Sequence, residues 1–306
     1  MTLRVTFLGT SGAVPTTARS LPGIMINRDG DRLLFDCGEG TQRQMMQFHT
    51  GFDIADIFIT HTHGDHIYGL PGLIETLDFN DRSAPLTIHV PPGTASDLRS
   101  FIFAASGRPG FSVEIKPVTP GTTVREAPEY EVRAFRVDHD VTAVGYALIE
   151  DERKGRFDRE RAEELGVPVG PKFSQLHDGK AVELEDGRVI EPEQVVGPPR
   201  PGRRVVYTGD TRPSDRTVEV ASEADLLIHD GTFADDCTER AAETGHSTAR
   251  QAGRVAALAN ARRLALVHIS SRYAGPLDAQ RREAREPFDG EVLTPEDGDT
   301  IEVPFP

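Results

Sequence analysis

Cysteine is scarce in this chain of 306 residues: only Cys37 and Cys237 occur, far apart and without C-x-x-C spacing. That excludes a disulfide framework or a cysteine-built zinc ribbon and leaves two free thiols. Lysine is almost as rare. Lys116, Lys154, Lys172 and Lys180 are the only four among 34 basic residues, set against 49 acidic ones for a formal net charge of −15. Such an excess of acid repels itself in dilute buffer and is tolerated where salt shortens the screening length, so a salt-loving host is expected. Long apolar runs are missing too. With no stretch of about 18 apolar residues, and with Arg4 and Thr10 bracketing the apolar run near the start, neither a membrane span nor a secretory leader is expected. The expected setting is the cytoplasm.

What is present suffices for a well-packed protein. A chain of this length buries roughly 75% of its unfolded surface, and 37% hydrophobic residues with 29 glycines match an ordinary globular domain. Short β runs alternate with helical periodicity. Strands are expected at 3–9, 23–28, 32–36, 54–60, 86–90, 111–116, 131–137, 144–149, 204–207, 226–228, 264–268 and 292–294, and helices at 41–49, 73–79 and 248–260. Apolar runs bounded by turn residues imply sheets covered by helices on their outer faces, an α/β sandwich. One segment, 151–191, breaks the pattern. It opens with a charge-dense stretch of five bases and six acids (151–164), continues through turn-rich 166–171, and ends in a small hairpin around Asp186-Gly187. It reads as an arm inserted into one domain spanning 1–306.

Chemistry concentrates directly after the strand at 54–60, in His61-Thr62-His63-Gly64-Asp65-His66. Four potential ligands stand within six residues, on a loop that Gly64 allows to turn tightly. Imidazole nitrogen and carboxylate oxygen suit zinc better than magnesium or calcium. Left unpaired in the interior, these groups would be costly. A pair of metals needs further ligands, and His139, Asp210 and His268 each stand at the end of a later expected strand.

This set resembles the metallo-β-lactamase superfamily. The resemblance covers nearly the whole chain and implies an αβ/βα four-layer sandwich with two zinc ions per subunit. It implies that His61, His63 and His139 hold one ion, that Asp65, His66 and His268 hold the other, and that Asp210 bridges them. Asp36 matches the superfamily's buried aspartate that orients a ligand histidine. Four further stretches, taken in order, are similar to the ribonuclease Z family of tRNA 3′-processing endonucleases. They are Phe7-Leu8-Gly9-Thr10-Ser11-Gly12 running to Pro15, Asp36-Cys37-Gly38-Glu39-Gly40-Thr41-Gln42, the arm with Gly170-Pro171, and Gly245-His246-Ser247-Thr248.

That likeness implies phosphodiester hydrolysis that removes the 3′ trailer from precursor tRNA, with Asp65 as general base and His246 as general acid. An acidic residue of a His-Glu-Ala-Thr motif orients this histidine in the family. Here the stretch is His229-Asp230-Gly231-Thr232, which hands the task to Asp230, one methylene shorter. Substrate contacts are expected from Arg272, whose planar fork suits phosphate, and from Thr248, Arg19, Gly170 and Pro171. The segment from Pro15 to Ser20 aligns with the family's P-x-K-x-R-N loop but lacks its Lys and Asn. By the same resemblance the arm grips tRNA across a homodimer. A two-zinc phosphodiesterase of small or cyclic nucleotides would explain the ligands equally well but not the arm or Gly245-His246-Ser247-Thr248. A di-iron flavin-linked protein usually carries Glu in place of His63, and a silent RNA-binding subunit usually lacks part of the ligand set.

Overall fold

A computed structural model describes residues 1–273 and 275–306. Two compact units emerge, one formed by Met1–Ile149 with Arg203–Phe305 and the other by Glu150–Gly202 with Pro306. The first unit holds two seven-stranded mixed sheets. One runs Thr300–Glu302, Leu3–Gly9, Gly23–Arg28, Asp31–Phe35, Asp56–Phe58, Leu86–Val90, Val113–Pro117. The other runs Glu291–Leu293, Arg263–Val267, Leu226–Asp230, Arg204–Tyr207, Val144–Glu150, Tyr130–Arg136, Thr123–Ala127.

Alternation along the strands decides the layering. One side of each sheet contributes Leu3, Val5, Phe7, Phe35, Phe58, Tyr146, Leu226 and Ile228 to a shared inner core. The opposite side of the first sheet packs Leu34, Ile57 and Ile88 against the helices Thr41–Gln47, Leu70–Phe79 and Ala95–Ser106. The opposite side of the second packs Val206, Leu227 and Leu266 against Ala249–Leu258 and Asp278–Arg285. Helix, sheet, sheet and helix therefore lie in four layers, the α/β architecture expected from the sequence. Close approach depends on small residues. A Cβ at Gly253 would stand 2.2 Å from the Ala284 carbonyl oxygen, so the two outer helices can touch only through a glycine.

Several elements differ from the sequence reading. The strand read at 54–60 is regular only over Asp56–Phe58, because its last residues leave the ladder to form the histidine loop. A short helix, Gly64–Ile67, begins inside that loop, and the next helix starts at Leu70 with Pro71 in its first turn, where a missing N–H costs nothing. The sequence reading does not include Ala95–Ser106, Asp278–Arg285 or Thr123–Ala127. In the second unit the helices Arg159–Glu164 and Pro171–His177 and the hairpin Val182–Glu183 with Val189–Ile190 enclose a small core of Ala162, Val167, Leu176 and Val195. The stretch read as an arm falls in this unit. Among the described residues, no helix is long and apolar enough to cross a membrane.

Candidate active site

Parallel strands end on one rim of the sandwich, and the candidate side chains stand on the loops that leave it. His61 to His66 follow Asp56–Phe58, His139 follows Tyr130–Arg136, and Asp210 follows Arg204–Tyr207. Asp230 ends Leu226–Asp230, and His268 follows Arg263–Val267. His268 holds a left-handed backbone (φ 60°), and a Cβ on Gly12 would come within 2.3 Å of its Nδ1. Glycine at position 12 is therefore a condition for seating that ring.

The donor atoms of the seven expected ligands gather into two groups around Asp210, and a third, overlapping group joins Asp210 and His268 to Asp230 and His246. His61 Nε2 lies 3.0 Å from His63 Nδ1 and 3.5 Å from Asp210 Oδ2, and His139 Nε2 lies 3.3 Å from His63 Nδ1. On the other side, His66 Nε2 is 3.3 Å from Asp210 Oδ1 and 3.6 Å from Asp65 Oδ2. His268 Nε2 is 3.2 Å from Asp65 Oδ2 and 3.3 Å from Asp210 Oδ2. His66 Nε2 and Asp210 Oδ1 are buried with no hydrogen-bond partner among the described residues. Buried polar atoms are rarely left so. A convergent set of imidazole nitrogens and carboxylate oxygens around such atoms fits divalent cations with N and O ligands, and these are candidate metal sites.

Hydrogen bonds behind the rings fix which nitrogen faces inward. The fully buried Asp36 carboxylate meets His66 Nδ1 at 2.8 Å and accepts from Thr60 N at 2.8 Å and the Tyr207 hydroxyl at 2.7 Å. His139 Nδ1 donates to the Gly245 carbonyl (2.8 Å), and His268 Nδ1 meets Thr232 Oγ1 (2.8 Å). Each of the three rings thus turns Nε2 toward the cluster.

Electrostatics follow from this crowding. Burial and the neighbouring His66 hold His61 well below its ordinary value. Burial opposes charge on His66 too, but the Asp210 and Asp36 carboxylates outweigh it and push His66 well above. Burial likewise resists ionisation of Asp210 and Asp65, yet the adjacent imidazoles keep both carboxyls below the usual range.

His246 sits beside the cluster with 14% of its side chain exposed, its ring stacked 5.0 Å from that of His268. Its Nδ1 lies 2.8 Å from Asp230 Oδ2, so the shorter acid spans the gap. Asp230 is fully buried and held by Thr211 N (3.1 Å), Thr232 N (2.9 Å) and the Thr232 hydroxyl (2.6 Å). Burial disfavours the imidazolium, but the Asp230 carboxylate prevails and pushes His246 up to about 9.

The expected substrate residues divide. Arg272 is exposed, its guanidinium over the Phe233 ring. Thr248 is 1% exposed, and its hydroxyl accepts from Gln251 N to cap Ala249–Leu258. That burial corrects the expected substrate contact: Thr248 anchors the loop that carries His246. Arg19 is half-buried, with Nη1 donating to Thr10 Oγ1 (2.6 Å) and the Pro295 carbonyl (2.7 Å), so it braces its own loop. Gly170 (φ 147°) and Pro171 open Pro171–His177 in the second unit. Sequence reasoning missed Thr232 and Tyr207, which orient ligands, and Asp297, which accepts from Thr10 Oγ1 (2.9 Å), Ser20 N (2.6 Å) and Gln44 Nε2 (3.1 Å). Thr232 lay within a quoted motif, but a hydroxyl's partner cannot be read from spacing. His89, stacked on Phe58 and bonded to Asp56 at 2.7 Å, is structural.

Comparison with known proteins gives two family matches. Residues 3–140 match the model of the anti-Pycsar protein Apyc1, and residues 194–269 match the beta-lactamase superfamily domain. The chain is 66% identical over 306 residues to ribonuclease Z of Natronomonas pharaonis, covering 100% of this chain and 99% of that one. It is 63% identical to ribonuclease Z of Halorubrum lacusprofundi over the same length, again covering 100% and 99%. The crystal structure of human tRNase Z, short form, superposes with a TM-score of 0.71 at 27% identity, covering 99% of this chain and 100% of that chain. Full-length identity at this level, joined to the fold, shows that the chain belongs to the ribonuclease Z family of the metallo-β-lactamase superfamily.

Proposed function

We propose that this chain is the endoribonuclease that removes the 3′ trailer from precursor tRNA, leaving a 3′-hydroxyl on the tRNA and a 5′-phosphate on the trailer. The observation that carries the reading is the pairing of two His/Asp donor groups around Asp210 with the His246–Asp230 couple beside them. We assign zinc to both groups, two ions per subunit: one with His61, His63 and His139, the other with Asp65, His66 and His268, and Asp210 shared. Bound there, such cations neutralise phosphate oxygens and acidify water near neutral pH.

The chain's own groups supply the proton transfers. Asp65 Oδ2 accepts the Ala13 N–H (2.8 Å), which fixes the carboxylate while His66 and His268 keep it ionised. In that state it is the acceptor for the attacking water's proton. His246, charged through Asp230, delivers a proton from Nε2 to the departing 3′-oxygen. Arg272 meets a phosphate of the substrate, and Arg19 holds the loop from Pro15 to Ser20 against it.

The Glu150–Gly202 unit serves as the tRNA exosite, with Gly170 and Pro171 at its contact loop, in a cytoplasmic homodimer whose partner's arm grips the acceptor and T stems. Three of the four lysines of the chain lie in this unit, which supports a phosphate-facing role. Incubating the purified protein with a precursor tRNA and mapping both new ends tests the whole reading. Cleavage of a cyclic nucleotide with an intact precursor would reject it. Elemental analysis showing fewer than two zinc ions per chain would reject the metal assignment independently of turnover.

A further inference from the structure

We infer that a cleft beside His139 binds the single-stranded trailer downstream of the cut; the inference rests on the tRNA reading above. The cleft has a volume of about 860 Å³ and is lined by Arg136, Val141, Pro92, Pro120 and Arg216, with His139 at one wall. The His139 ring stands 5.4 Å from that of His246 and 4.8 Å from that of His61, so the cleft and the candidate centre share this residue as a common wall.

Its chemistry is that of a nucleic-acid groove in an otherwise acidic molecule. Arg136, the last residue of Tyr130–Arg136, is exposed and has neither an ion pair nor a hydrogen bond among the described residues. Arg216 is exposed and carries only the surface pair with Glu219 (2.6 Å), the kind of contact that contributes little. One acid, Asp138, also lines the cleft; it and the neighbouring Asp140 both meet Arg212, at 3.4 and 2.5 Å, which offsets part of their charge. Pro92, Pro120 and the exposed Val141 line the same cleft as the two arginines and offer apolar faces against which unpaired nucleobases can lie.

Shape decides which part of the substrate enters. Upstream of the cut, the acceptor stem is an A-form duplex almost to the scissile bond, too broad for this cleft. Downstream, the trailer is unpaired. A volume near the top of the ~300–1,000 Å³ range of small-ligand pockets accommodates a short run of single strand.

Steady-state kinetics on one precursor tRNA carrying either a one-nucleotide or a five-nucleotide trailer, with wild type, Arg136→Ala and Arg216→Ala, test the assignment. Wild type should show a lower KM for the longer trailer. Arg136→Ala should remove roughly five- to tenfold of that advantage and lower the salt slope for the longer substrate by about 1. Equal weakening on both substrates, or a wild-type KM indifferent to trailer length, overturns the proposal. A 4-thiouridine in the trailer should cross-link unmodified enzyme within 136–143 or 214–216, and cross-links elsewhere alone overturn it. A wild-type protein that cuts neither precursor overturns the tRNA reading itself, and the cleft assignment with it.

Discussion

Replacing Asp230 by Asn tests the acid half of the mechanism with the smallest possible change of shape. The carboxylate takes two donors on Oδ1, from Thr232 N and its hydroxyl, and two on Oδ2, from Thr211 N and His246. An amide offers one acceptor and one donor. Whichever way it turns, a buried backbone N–H faces another N–H, a cost of about 1–3 kcal/mol. Turned to keep Thr232 satisfied, the amide nitrogen faces His246 Nδ1 and donates to it, which puts the imidazole proton on Nε2 and removes the partner of the imidazolium.

Asp230 is the main influence that pushes His246 up to about 9, with Asp210 a lesser one; without Asp230, burial draws the ring back toward the ordinary value of about 6.5. A group that must be protonated to act fails as pH rises through its pKa. At pH 8 the charged fraction therefore falls about thirtyfold, and misorientation of the ring adds to this, within the ~10²–10⁴ range of general acid catalysis. The assay is kcat on precursor tRNA from pH 6 to 9, beside hydrolysis of a bis-aryl phosphodiester whose leaving group departs without a proton. The basic limb on tRNA should move to lower pH, and the loss on tRNA should exceed the loss on the aryl ester at least tenfold. An unmoved limb, or equal losses with zinc retained, refutes the acid role of His246.

Removing the buried Asp36 carboxylate by Asp36→Ala leaves His66 Nδ1, Thr60 N and the Tyr207 hydroxyl without their acceptor. Zinc affinity should fall about 10- to 100-fold, read by competition with a chelating dye. Deleting 155–179 takes out Ala162, Val167 and Leu176 of the second unit's small core; tRNA cleavage should disappear while aryl phosphodiester hydrolysis persists, and parallel loss of both would reject the exosite. Screening a net charge of −15 should raise the thermal midpoint between dilute buffer and molar KCl, and a flat or falling midpoint would remove the salt-loving reading.

The layered fold was legible because its strands are short apolar runs ended by turn residues, and because seven ligand-type residues stand at the ends of such runs. Precise boundaries were not legible. The Asp56–Phe58 ladder stops early so that His61 can leave the sheet, and nothing in the run Ile54 to Thr60 marks that departure. Ala95–Ser106 carries a helical spacing in Leu98, Phe101 and Ile102 that the sequence reading overlooks, whereas Asp278–Arg285 buries only Gln280 and Ala284 and gains its place from Gly253 on another helix. At the site, residues that act by their own chemistry could be found from type and order. Those that act through a hydroxyl or a distant carboxylate, such as Thr232, Tyr207 and Asp297, became visible only through their partners. Thr248 shows the converse, since the resemblance implies a substrate contact there, whereas its burial and the bond from Gln251 N make it a helix cap.

An RNA enzyme with 49 acids against 34 bases has to find its substrate without an overall positive charge, and the positions of the cations near its candidate contact surfaces bear on how. Lys154 is partly engaged with Asp178 (2.5 Å) and Lys172 donates to the Glu183 carbonyl (2.6 Å), while the Arg136 side chain has no partner among the described residues. If roughly three such groups meet phosphates, the slope of log K against log salt should be near −2 to −3, because each contact on RNA or DNA contributes about −0.7 to −0.9. A shallow slope lets binding survive the salt that the acidic surface needs, with shape and stacking supplying the rest. Filter binding of a precursor tRNA to a catalytically inactive His246→Ala variant across a tenfold range of KCl measures the slope directly. A value steeper than about −6 would mean that many more cations converge on the RNA than these positions provide, and would contradict recognition by shape.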